Sequence, residues 1–310
     1  MYSGTHHAVE DTRNDHILIY INGQYHRRHE AKISVFDSGY LVGDGVWEAL
    51  RLHQGALVFW EEHMDRLWAG AAAIGLSLPW NREELLSICR NCLHRNKMSD
   101  HVHLRIMVTR GIKKTPSQDP RLTVSGPNLV IIPEFKKAST TTKEKGITLF
   151  TSTIRRGRPD YLDPRLNCHS KLHEVQAMVQ ALEAGADEAL MLDTNGFVAT
   201  CNSTNFFIVK NQKVITSTGK YCMNGITRQK VIETCHRLNI PCEEKDFSLF
   251  DAYSADEAFV TGSFGGLTPV RKIDGREITR KTGSSVLPEL NAGYRELIQE
   301  DIQNFLRVHT

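Results

Sequence analysis

Asp163-Pro-Arg-Leu-Asn-Cys-His-Ser-Lys171 is a polar stretch that ends in a lysine and opens onto a helical pattern over residues 170–184. A strand-like run follows at residues 188–193. Helical and strand-like runs continue on both sides. Downstream, residues 206–210 and 257–261 read as strands and residues 227–238 as a helix. Residues 288–305 carry apolar side chains at Leu290, Tyr294, Leu297, Ile298, Ile302 and Phe305, the spacing of a helix with one packed face. Upstream, residues 17–23 read as a strand entering a turn, and residues 103–109, 128–132 and 147–153 as further strands. Met64, Leu67, Trp68, Ala71 and Ala72 give residues 61–75 a helical stripe. Asn81 followed by Glu84 matches a helix N-cap with its capping partner, opening a helix to about Lys97.

The run PEFKKASTTTKEKG at residues 133–146 is polar and almost without apolar side chains, which predicts an interdomain linker over 134–146. It would separate a smaller N-terminal α/β domain, residues 1–133, from a larger C-terminal domain, residues 147–310. The fold class expected is α+β, a mixed α/β chain in two domains.

Composition narrows the function classes without choosing one. The 310 residues are 40% hydrophobic and 24% charged, ordinary for a globular chain with ample core. A net charge of +2 gives no general attraction to nucleic acid or membrane. The polar opening MYSGTHHAVEDTRNDH lacks an apolar targeting core, and no apolar run approaches the roughly 18 residues that span a bilayer. Seven scattered cysteines suit a reducing compartment, so a cytoplasmic location is expected.

One anion site is readable on physical grounds. Asn224-Gly-Ile-Thr-Arg228 precedes an amphipathic run, so free backbone N–H groups and a helix dipole converge at Ile226 and Thr227. A plain helix cap at Thr227 and a surface arginine at Arg66 are the alternatives when each is taken alone.

Several segments, in order, resemble the fold type IV pyridoxal 5'-phosphate (PLP) enzymes, the class IV aminotransferase family. Its members include branched-chain and D-amino-acid aminotransferases and aminodeoxychorismate lyase. SVFDSGYLVGDGVWE at residues 34–48 is similar to the N-terminal signature, and EHMDRL at 62–67 to the helix that follows. GADEALMLD at 185–193, NGITR at 224–228 and FVTGSFGGLTP at 259–269 supply the C-terminal half. The resemblance implies the two-domain D-amino-acid aminotransferase-like architecture, with the active site at the domain junction, and a homodimer. It implies PLP as cofactor, with amino acid or amine and keto acid as substrates. It places the PLP phosphate on Arg66, Ile226, Thr227, Gly262 and Ser263.

Two positions depart from the family pattern. Counting back from Gly185 by the family's spacing, its Schiff-base lysine falls on Asn167. An amide forms no imine. Lys171 lies four residues on, which on a helix is the same face displaced by roughly 6 Å. Lys171 is therefore the candidate amine, a solvated helix lysine being the plain alternative. The family's Glu-x-x-x-x-Asn pattern, read back from Asn205, gives Thr200 where a carboxylate normally faces the pyridine nitrogen. A hydroxyl there weakens the electron sink and suits elimination better than transamination. The expected function is thus a noncanonical PLP-dependent aminotransferase acting on a small amino acid or amine. The alternatives are a lyase, or a scaffold that has lost covalent PLP chemistry and binds an anion or works without cofactor.

Substrate recognition is less legible. Trp47, Arg105 and Arg155 are candidate substrate contacts, Arg155 because Arg155-Arg-Gly-Arg158 suits a carboxylate or phosphate clamp as well as a solvated loop. No Arg-x-His trap follows Thr109-Arg-Gly111; Lys113 and Lys114 suit an acidic substrate, with a charged turn as the plain alternative. No metal is expected. Cys89-Arg-Asn-Cys92 lies in a helical pattern without a second pair, and His169 and His173 lack the glutamate of an HExxH site.

Overall fold

The computed structural model describes residues 4–279, 283 and 285–309. The chain divides into two compact units. The N-terminal unit holds residues 9–137, 166–171 and 301–310, and the C-terminal unit holds residues 1–8, 138–165 and 172–300.

In the N-terminal unit, β1 (Leu18–Ile21), β2 (Gln24–Arg27), α1 (Ser38–Val42), β3 (Gly45–His53), β4 (Ala56–Leu57), α2 (Trp60–Ala73), α3 (Arg82–Arg95), β5 (Val102–Thr109) and β6 (Asn128–Phe135) follow one another. The strands form one antiparallel sheet in the order β2-β1-β6-β5-β3-β4. Strict alternation makes β3 a strand: Val46, Glu48, Leu50 and Leu52 are buried while the residues between them are half-buried. Helix α2 packs on β3 through a face that includes His63, Met64, Leu67 and Ala71. The capping box read from Asn81 and Glu84 is formed at the start of α3. Cys89 and Cys92 face the core from α3, and burial pushes the Cys92 thiol up to about 12.

The C-terminal unit is built from α4 (Thr140–Lys145), β7 (Ile147–Thr151), α5 (Leu172–Glu183), β8 (Glu188–Leu192), β9 (Val198–Cys201), β10 (Asn205–Lys210), β11 (Lys213–Thr216), α6 (Ile226–Arg237), β12 (Cys242–Glu244), α7 (Leu249–Tyr253), β13 (Glu257–Gly262), β14 (Gly266–Ile273), β15 (Arg276–Glu277) and most of α8 (Leu287–His309). Its mixed sheet runs β12-β11-β10-β13-β14-β7-β8-β9, with β15 beside β14. The pairs β11–β12, β14–β7 and β7–β8 are parallel. Phe207 and Phe259 stack across β10 and β13 with ring centres 4.9 Å apart. Ala177 and Ala181 seat α5 on Ala189 and Met191 of β8.

Two local features differ from the sequence reading. The polar run at 133–146 closes β6 and then carries α4, whose start is capped by Ser139 Oγ accepting from Thr142 N at 3.3 Å. The helix expected from residue 170 starts at Leu172. Residues 166–171 lie with the N-terminal unit, where Cys168 bridges Val46 in antiparallel fashion. Trp47 N donates to Asn167 O at 3.0 Å and His169 N to Gly45 O at 3.1 Å. With backbone groups committed to β3, this stretch does not join the helix. The one-turn relation between Asn167 and Lys171, and the shared helical face of His169 and His173, therefore do not hold.

Candidate active site

In the N-terminal unit the candidate residues gather around β3. Asn167 is buried; its Nδ2 donates to Trp47 O at 2.5 Å, and its Oδ1 has no hydrogen-bond partner among the described residues. The Trp47 indole Nε1 donates to Cys168 O at 3.0 Å, fixing the ring. The Arg105 guanidinium sits 4.5 Å from the centre of that ring, a cation–π contact made possible by the pairing of β5 with β3. Burial pulls the Arg105 pKa down, with Glu134 opposing it. Lys171 is half-buried at the end of the same segment.

Arg66 projects from α2 onto Glu48 of β3. Its Nε donates to Glu48 Oε1 at 2.6 Å and its Nη2 to Glu48 Oε2 at 2.7 Å. His63, one helical turn before Arg66, shares Glu48 Oε2 at 2.6 Å. Burial favours a neutral Glu48, but the Arg66 charge, with hydrogen bonds from Arg66 and His63, outweighs it and holds the carboxyl at about 2. Burial pushes His63 the other way, toward the neutral ring that donates from Nδ1. The bidentate pair is charge-balanced, and no hydrogen bond of Arg66 Nη1 is seen among the described residues. Glu48 and His63 were absent from the sequence reading. The available signal was a carboxylate on the apolar stripe of β3, and a histidine on the Arg66 face of α2.

In the C-terminal unit, α6 begins at Gly225 with no side-chain cap, so among the described residues the amides of Ile226 and Thr227 have no side-chain acceptor. A Cβ at Gly225 would overlap Asn205 Oδ1, so only glycine lets the backbone approach this closely. Asn205 Nδ2 holds the turn through Met223 O at 2.8 Å. The α6 helix packs against β13, whose last residue Gly262 pairs with Gly266 and closes a tight turn over Ser263. Thr261 Oγ1, two residues before Ser263, is buried without a hydrogen-bond partner among the described residues.

Thr200 is buried on β9, and its hydroxyl proton is committed to Thr204 O at 2.8 Å. Thr204 in turn donates to the buried Glu188 at 2.7 Å. Thr200 can thus offer a lone pair to a protonated ring nitrogen, but reaches a neutral one only by giving up the Thr204 bond.

The arginine run does not form a clamp. Arg155 is exposed and donates to Ser152 O at 2.8 Å, and Arg158 pairs with the exposed Asp160 at 3.3 Å. Arg156 is the buried member, bonded to Glu174 Oε1 at 2.7 Å, His173 Nε2 at 2.9 Å and Tyr221 O at 3.2 Å. Lys113, expected in a solvated turn, is buried with its Nζ donating to Asp119 O at 3.1 Å.

The family profile described as Amino-transferase class IV matches residues 45–273. The chain belongs to the class IV aminotransferase family. Among this family's members, the chain is 35% identical over 282 residues to a putative branched-chain-amino-acid aminotransferase of Methanocaldococcus jannaschii, covering 90% of this chain and 96% of that one. It is 37% identical over 284 residues to branched-chain-amino-acid aminotransferase-like protein 2 of Arabidopsis thaliana, covering 92% of this chain. It spans about half of that relative, 51% of its length. The fold matches the crystal structure of the branched-chain aminotransferase of Thermoproteus uzoniensis with norvaline at a TM-score of 0.82 and 25% identity, covering 94% and 97% of the two chains.

For this class IV chain the fit to a pyridoxal phosphate group divides by function. The amides at the start of α6, which have no side-chain cap among the described residues, suit a phosphate. The amide at 167 does not suit covalent attachment at that position.

Proposed function

We propose that the chain is a PLP-dependent aminotransferase-type enzyme exchanging an amino group between a small amino acid or amine and a keto acid. Lys171 supplies the amine that Asn167 lacks. The observation that supports the reading is the start of α6, which has no side-chain cap among the described residues and so offers backbone amides to an anion. Ile226 and Thr227 would hold the phosphate through their amides, and Gly262 and Ser263 through the turn after β13; in the N-terminal unit Arg66 is a candidate anion-binding group in its own right. When bound, the cofactor supplies the electron sink for bond breaking at the amino-bearing carbon. Lys171 moves a proton at that carbon. Arg105, steadied over Trp47, binds the substrate carboxylate, and Arg155 is a second candidate substrate contact. The names of the relatives favour a branched-chain amino acid as donor. A cytoplasmic homodimer belongs to the same reading.

A second reading draws on Asn167 and Thr200. An uncharged acceptor at Thr200 supports a protonated ring less than a carboxylate would, which favours elimination over transamination. An amide at 167 favours a scaffold that holds its anion without a covalent bond. The test is a keto-acid release assay across small amino acids with PLP-loaded protein and its K171A variant. Turnover lost in K171A supports the first reading. Ammonia release without amino transfer supports the lyase, and neither product supports the scaffold.

A further inference from the structure

His53, Asp100 and His101 bring three metal-ligand side chains together on the N-terminal unit, and none of them has a role in the proposed function. The placement follows from strand register. Leu52 of β3 pairs with Val102 of β5, so His53 and His101 extend that ladder as the next opposed pair. Their rings lie 6.0 Å apart at 36°. Asp100 stands between them, with Oδ1 2.8 Å from His53 Nδ1 and Oδ2 3.7 Å from His101 Nε2.

The carboxylate is held by backbone. Asp100 Oδ1 accepts from His101 N at 2.7 Å and from Gln54 N at 3.3 Å, which leaves Oδ2 turned toward the second imidazole. The loops are tied as well, by Gly55 N to Ser99 O and Lys136 N to His101 O, both at 2.8 Å. His101 keeps a left-handed backbone at φ 54° in this tie.

We propose that His53, Asp100 and His101 bind a divalent first-row transition-metal ion of the zinc class. One ligand atom from each residue lies within 4.8 Å of the others. Tetrahedral zinc with bonds of about 2.0–2.1 Å sets ligands roughly 3.3 Å apart, so side-chain rotation of the half-exposed histidines closes the set. Two imidazoles and one carboxylate select zinc, nickel, cobalt or copper over calcium and magnesium, which require more oxygen ligands. Water completes the coordination, since the side chains of His53, Asp100 and His101 are 21%, 36% and 53% exposed. The bound ion ties the end of β3 to the entry of β5, and so stabilises the folded chain.

The experiment is calorimetric titration of the tag-free full chain with ZnCl2, repeated on H53A, H101A and, as control, H236A at the exposed end of α6. The expected result is one site per chain, weakened by about tenfold or more in H53A and in H101A and unchanged in H236A. Thermal melts with and without Zn2+ read the same linkage, with stabilisation in wild type and H236A only. No binding by wild type overturns the proposal. So does binding that persists in both H53A and H101A while circular dichroism shows them folded.

Discussion

Asn167 and Trp47 are joined by two hydrogen bonds, the Asn167 amide donating to the Trp47 carbonyl at 2.5 Å and the Trp47 N–H to the Asn167 carbonyl at 3.0 Å. The second is backbone to backbone and fixes where residue 167 stands whatever its side chain. The first depends on the amide. In N167K the backbone anchor therefore survives, at a stability cost of about 1–3 kcal/mol for the lost amide contact. We expect N167K to gain a borohydride-fixed pyridoxyl adduct at residue 167. Folded, PLP-exposed N167K without an adduct there would contradict the correspondence between Asn167 and the family's lysine.

Glu48 gives a pH-dependent prediction. A fall from 4.5 to about 2, at about 1.4 kcal/mol per tenfold change in acidity, corresponds to about 3 kcal/mol of stability. The folded value is depressed, so this stability is present above about 4.5 and is lost as pH falls toward 2. His63 is depressed in the same sense and begins to cost stability as pH drops below its ordinary 6.5. E48Q breaks a buried pair and is expected to be less stable at neutral pH by about 3–5 kcal/mol. Urea unfolding from neutral to acid pH should show that gap narrowing below pH 4.5. A constant gap would contradict an ionised Glu48.

Gly225→Ala tests the close approach at α6. The backbone at 225, φ −60° and ψ 140°, accepts alanine, so the penalty comes only from overlap with Asn205. Overpacking of this kind costs about 1–3 kcal/mol. G225A is expected to lower the melting temperature and to weaken PLP binding, measured by fluorescence titration. Wild-type affinity in a folded G225A protein would remove the phosphate from this helix start.

Arg155 and Arg156 are neighbours with opposite expectations. R156A empties a buried ion-pair site and should cost about 3–5 kcal/mol. R155A removes an exposed side chain and should stay within about 0.5 kcal/mol. Denaturant midpoints separate the two, and a raised KM in R155A alone would support its substrate role.

The sequence was legible where a pattern is local. The 3–4 spacing from Met64 to Ala72 and the Asn81–Glu84 box located α2 and α3 to within a few residues. β3 escaped because Glu48 puts a charge on its otherwise apolar buried face, and Glu48 is tolerated there only because Arg66 and His63 meet it from α2. The helical relation weighed for Asn167 and Lys171 fails for a related reason. Their spacing is compatible with a helix, and only the distant β3 edge, some 120 positions earlier, claims their backbone. The His53–Asp100–His101 group is likewise invisible to motif spacing, since its members meet through strand register. The start of α6 was readable as a helix boundary because helix-terminus chemistry is local, whereas the commitment of Thr200 to Thr204 was not.

The central claim is that Lys171 replaces the missing lysine. Its most direct test is the visible spectrum of protein purified with PLP, followed by borohydride reduction and peptide mass mapping. A Schiff base on Lys171 gives a visible absorption band that reduction abolishes, with the pyridoxyl mass on Lys171 and its loss in K171A. A folded protein with no band and no modified lysine, or with the mass on a different lysine, would contradict it.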